Sequence, residues 1–133
     1  MTTFFAGGKY HTPERVPPHF LDLLGLKSRW GLYFGLLGAV IAARRAVLHG
    51  VYDDEYWSHS SYRVFRHIER CGGRFEIEGL KNLEYSKSPF VFVSNHMSTL
   101  ESQVLPVLIV QSMPVTFVVK RELIDASLFG TVM

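Results

Sequence analysis

Phe90-Val91-Phe92-Val93-Ser94-Asn95-His96-Met97-Ser98-Thr99-Leu100-Glu101 decides how the fold of this chain is read. Four consecutive apolar residues, all Phe or Val, predict a strand buried on both faces. Polar residues end the run, and an apolar periodic stretch from about residue 100 to residue 110 predicts a helix. Val115-Thr116-Phe117-Val118-Val119 repeats the strand signal, Lys120 follows it, and residues 121–129 read as another helix. Strand, helix, strand, helix predicts an α/β fold: a partial parallel or mixed sheet with crossover helices. Residues 129–133 add no finishing element, so the sheet is expected to be incomplete and the chain truncated.

Upstream, Phe75 and Ile77 alternate with Glu76 and Glu78, the pattern of a half-buried strand. Residues 79–89 read as a turn-rich connection. Asp53, Asp54 and Glu55 open a helix, where negative charge suits the N-terminal dipole, and Gly72-Gly73 stops it. Trp57, Val64, Phe65 and Ile68 form its apolar face. Its histidines, His59 and His67, are eight apart, which is wrong for a ligand pair on one helical face, and they read as surface or boundary residues.

Residues 30–43 carry no charge; Lys27 and Arg29 precede them and Arg44 and Arg45 follow. The run is shorter than the roughly 20 residues of a bilayer span. A tilted span, an interfacial or re-entrant helix with Trp30 and Tyr33 at headgroup level, and a buried core helix all remain open, with membrane contact the favoured expectation. Gly31, Gly35 and Gly38 recur at helical spacing and admit close helix packing. Residues 1–19, with Gly7, Gly8, Pro13, Pro17 and Pro18, read as an irregular lead-in, and residues 1–8 lack the basic and apolar regions of a secretory signal. The expected organisation is a lead-in and membrane-associated helical region over 1–50 and an α/β region over 51–133.

Composition narrows the classes of function. Hydrophobic residues make up 47% and charged residues 20%, which excludes a disordered chain. A net charge of +2 without a dense Lys/Arg stripe gives no case for nucleic acid, but suits an anionic lipid surface or a phosphate-bearing substrate. The single cysteine, Cys71, excludes an internal disulfide framework, points to a reducing, cytosol-facing setting and reads as an inert residue near a helix end. No H-E-x-x-H spacing or cysteine pair suggests a metal site.

Ligands of open parallel sheets bind beyond the carboxyl ends of the strands. There the two predicted strands deliver Ser94, Asn95 and His96, and Lys120. His96 has the near-neutral pKa of a general base. Glu101, five residues on, is placed to orient the imidazole and stabilise imidazolium if it sits in the first turn of the next helix. The plain alternative is helix capping by Glu101 together with Asn95, Ser98 or Thr99, and spacing alone leaves both open.

With those residues in view, the segment Asn95 to Glu101 resembles the N-H-x-x-x-x-D block of the glycerolipid acyltransferases, the lysophosphatidic acid acyltransferase superfamily. Phe117-Val118-Val119-Lys120-Arg121-Glu122-Leu123 is similar to the F-V-x-K-x-E-L stretch of that family, and Leu128-Phe129-Gly130 fits its end. The resemblance runs over about residues 74–133. Glu101 stands where the family usually has Asp, and Ser127 where proline is common. The family's later F-P-E-G-T block and its glycerophosphate-binding Arg block have no counterpart within the 133 residues.

The resemblance implies a membrane-associated enzyme on the cytoplasmic face. It would transfer a fatty acyl group from acyl-CoA or acyl carrier protein to the hydroxyl of a lysophospholipid, without a resident cofactor. His96 is the implied base and Glu101 its orienting carboxylate. Asn95, Ser98, Thr99 and Lys120 are the implied substrate-binding residues, with Lys120 meeting a phosphate of donor or acceptor. The rival expectations are a non-catalytic membrane-binding fragment and a Ser/His esterase, the latter without a G-x-S-x-G elbow.

Overall fold

The computed structural model describes residues 5–14, 16, 29–83, 91–95, 97–98 and 100–125. Its elements, in order, are a 3-10 turn Ala6–Gly8, β1 (Tyr10–His11), α1 (Arg29–Leu48), α2 (Asp54–Arg70), β2 (Glu76–Ile77), a 3-10 turn Leu80–Leu83, α3 (Leu100–Ile109) and α4 (Arg121–Asp125).

α2 forms where the acidic run predicts it. The carboxylate of Asp53 accepts the amide of Tyr56 at 2.7 Å, satisfying one of the donors that the first turn leaves unpaired. At the other end the amide of Gly73 reaches the carbonyl of Ile68 at 2.9 Å, and Gly72 takes φ +95°, a conformation that residues with a Cβ rarely adopt. Between these caps Val64, Phe65 and Ile68 are buried as their periodicity requires, with Phe65 fully inaccessible at the centre of the core. Phe75 stacks on Phe65 at 4.1 Å between ring centroids, and Phe5 and Tyr10 meet it edge-on at 5.3 Å each.

That aromatic nest draws in the lead-in, which is not uniformly irregular. β1 pairs antiparallel with β2, Tyr10 opposite Ile77 and His11 opposite Glu76. Beneath the pair lies Glu69, whose side chain is wholly inaccessible. Its carboxylate accepts the Tyr10 hydroxyl at 2.7 Å and the Thr12 hydroxyl at 2.6 Å, and it pairs with Arg66. Residues on both sides of position 50 therefore share one core.

α1 is apolar around nearly its whole circumference and lies antiparallel against α2. Gly31 and Gly35 sit at the crossing: Nε2 of His67 lies 3.1 Å from the Gly31 carbonyl, and a Cβ on Gly35 would collide with the same nitrogen. Gly38 plays no such part, since a Cβ there would meet nothing within 4 Å. His67 is thus a half-buried boundary residue that clamps the two helices. Trp30–Leu48 is long and apolar enough to cross a membrane.

α3 packs on α2 despite Pro106 within it. The break in its ladder is filled from outside: the Ser61 hydroxyl of α2 donates to the carbonyl of Gln103 at 2.6 Å and accepts the amide of Val107 at 3.0 Å. Those two groups would otherwise bond each other in an unbroken helix.

The expected parallel sheet does not form among the described residues, where the β1–β2 pair is the whole of the sheet structure. Residues 91–95 have no ladder partner there, and Val91 and Val93 are each 91% exposed, so the expectation of a doubly buried strand is corrected for them. A strand is buried on both faces only with layers on both sides, and the exposure of Val91 and Val93 shows that their shared face has no such layer among the described residues. Residues 115–119 are also without a ladder, yet they alternate between half-buried at 115, 117 and 119 and exposed at 116 and 118, the period of a one-faced strand. The last predicted helix is described only over Arg121–Asp125, and residues 126–133 lie outside the described residues.

Candidate functional site

The loop into α3 holds most of the residues that the sequence singles out. Asn95 and Ser98 are exposed there; His96 and Thr99 lie outside the described residues. Glu101, in the first turn of α3, turns back on the loop. Its Oε1 accepts the amide of Met97 at 3.0 Å, both carboxylate oxygens lie 3.1 Å from the amide of Ser98, and Oε2 accepts the Ser98 hydroxyl at 3.1 Å. The Ser98 hydroxyl oxygen in turn accepts the amide of Leu100 at 3.1 Å. This is a reciprocal cap of the kind that fixes a helix entry.

The Glu101 carboxyl is held below its ordinary value, first by its own backbone amide and then by the Met97 amide and the hydroxyl and amide of Ser98. An ionised carboxylate at the N-terminus of a helix also suits the helix dipole. Glu101 is therefore an anion fixed in place against the amides of Met97 and Ser98. Ser98 spends its hydroxyl on this cap, which argues against a nucleophilic role.

Beyond the cap the chain borders a cavity of about 510 Å³. α1 supplies an apolar wall with Ala39, Val40, Ala43 and Val47. Ser102 and Gln103 of α3 border it directly after Glu101, and Val115, Phe117 and Val119 border it directly before Lys120. Trp57 closes a corner, its ring meeting Phe117 edge-on at 5.6 Å between centroids. Ser60, Ser61 and Tyr52 also line it, and burial, then the neighbouring Tyr56, pushes the Tyr52 phenol up to about 12. The volume lies within the range of roughly 300–1,000 Å³ of small-molecule sites. Lys120 itself is exposed just before α4.

The cavity brings the flanks of both sequence motifs against the apolar helix. Sequence reasoning missed Tyr52, Ser60 and Ser61, although small hydroxyl residues on the inner face of a helix were a usable signal. Among the described residues no three His, Cys, Asp or Glu side chains converge on a position fit for a metal. Compared with protein-family models, curated proteins and solved structures, the chain matches none.

Proposed function

We propose that this chain belongs to a membrane-associated acyltransferase acting on the cytoplasmic face. It moves a fatty acyl group from acyl-CoA or acyl carrier protein to the hydroxyl of a lysophospholipid. The observation that carries the reading is the cavity: an apolar wall from α1 faces the segments that lead out of Glu101 and into Lys120. An acyl chain is the ligand class that such a wall favours, since each buried methylene contributes about 0.8 kcal/mol.

His96 takes the proton from the acceptor hydroxyl as that oxygen attacks the thioester carbonyl, and it returns the proton to the departing thiolate. Glu101, ionised and fixed by the amides of Met97 and Ser98, stabilises the imidazolium. Lys120 meets a phosphate of donor or acceptor, and Asn95, Ser98 and Thr99 shape the acceptor's approach. No acyl-enzyme forms and no resident cofactor takes part.

The test is transfer from a radiolabelled acyl-CoA to lysophosphatidic acid in detergent micelles, run on the chain, on its His96→Ala variant and on any longer parent. Transfer that disappears in His96→Ala supports the base. Silence of both chain and parent across several donors and acceptors sinks the enzyme. The second reading, a non-catalytic membrane-binding fragment, draws on the capping role that already accounts for Glu101.

A further inference from the structure

The exposed face of α1 bears on how the chain meets a bilayer. At 3.6 residues per turn Trp30, Tyr33, Phe34, Leu37, Ile41 and Leu48 fall within an arc of about 100°. Each is at least 39% exposed. Arg45 is exposed beside this stripe, a cation placed for anionic headgroups. The opposite face, where Gly31 and Gly35 lie, is committed to α2.

A stripe alone suits a helix that crosses a membrane and one that lies along it. The pairing with α2 separates the two. The Tyr56 hydroxyl donates to the carbonyl of Ala42 at 3.2 Å, and His67 meets the carbonyl of Gly31 at 3.1 Å. Residues 56–67 of α2 therefore run alongside residues 31–42 of α1, and any depth that α1 takes α2 must share. Within that overlap α2 exposes His59 and Arg63, and just before it Asp54 and Glu55. An α1 that crossed the bilayer would carry Arg63 toward its middle, the costliest place for a charge. An α1 lying flat, stripe downward, puts α2 on the water side.

We propose that α1 lies in the plane of one leaflet, its six-residue stripe among the acyl chains and Arg45 at the headgroups, and does not cross the bilayer. This geometry does not rest on acyl transfer: a catalytically silent chain would adopt it equally.

The test uses a Cys71→Ser chain carrying Glu14→Cys and His49→Cys, two exposed positions on either side of α1. It is reconstituted into sealed vesicles of phosphatidylcholine and phosphatidylserine and treated from outside with a membrane-impermeant maleimide. Mass spectrometry counts labels per chain, and detergent-opened vesicles define full labelling. An in-plane helix gives chains with two labels or none, whatever the mixture of orientations. Chains with a single label overturn the proposal, as does failure of the chain to float with the vesicles. Leu37→Glu, at an exposed position that leaves the core intact, is expected to weaken flotation about tenfold or more. Unchanged flotation of a folded Leu37→Glu chain also overturns it.

Discussion

Glu69 illustrates how much one buried carboxylate can organise. Its side chain has no solvent contact, and it accepts hydroxyls from Tyr10 and Thr12 while Arg66 supplies the countercharge. Arg66 of the same helix balances the charge, and the lead-in adds the two hydroxyls that the buried carboxylate would otherwise lack. Tyr10 records the cost to its own ionisation. Burial, then the hydrogen bond and charge of Glu69, raise its phenol to about 12. In the unfolded chain it ionises near its ordinary value of 10.0. Between those values the unfolded state has lost a proton that the folded state keeps, so the stabilisation is complete below pH 10 and is lost as pH rises toward 12. Tyr52, also raised to about 12, acts with the same sign. Urea midpoints measured upward from neutral pH should fall through this window. Tyr10→Phe should start lower, for want of a hydrogen bond, and fall less steeply. An equal slope in Tyr10→Phe would remove Tyr10 from the account.

Individual elements divide into those held by local signals and those held by neighbours. α2 was legible because its acidic cap, apolar face and double glycine all act within its own span. α3 was legible in extent, Leu100–Ile109 against an expected 100–110, but not in what mends its proline break. The Ser61 hydroxyl that does so lies 42 residues away from Gln103, and no local pattern can report it. β1 was missed for a related reason: a two-residue strand has no periodicity, and its partner lies beyond two helices. In the site, Glu101 could be read as base-orienting or as capping, and its bonds to Met97 and Ser98 realise the cap. Ser61→Ala strips the bridge from a buried amide and carbonyl at once. It is expected to cost about 1–3 kcal/mol in urea unfolding, with the loss traced to α3 by hydrogen exchange at Val107. Unchanged stability and exchange would mean that Gln103 and Val107 close the ladder without help.

At the scale of the whole molecule, α1 borders two apolar surfaces among the described residues, and they face different ways. One is the outward stripe of α1; the other is the cavity that α1 shares with α3 and residues 115–119. Composition reported that this much apolar surface exists but not that one helix divides it between two sides. If the cavity receives the acyl chain, its depth should select for length. Ala43 lines it and is itself only 5% exposed, so Ala43→Phe places a ring where the far end of a chain would lie. Transfer from a long-chain donor should then fall relative to a short-chain donor by on the order of tenfold, the discrimination that a methylene or two provides in an apolar pocket. Thermal unfolding of the variant separates this effect from overpacking, which would weaken the fold and lower both rates together. A stable Ala43→Phe chain with an unchanged ratio would show that the acyl group lies elsewhere, and with it would go the observation on which the enzymatic reading rests.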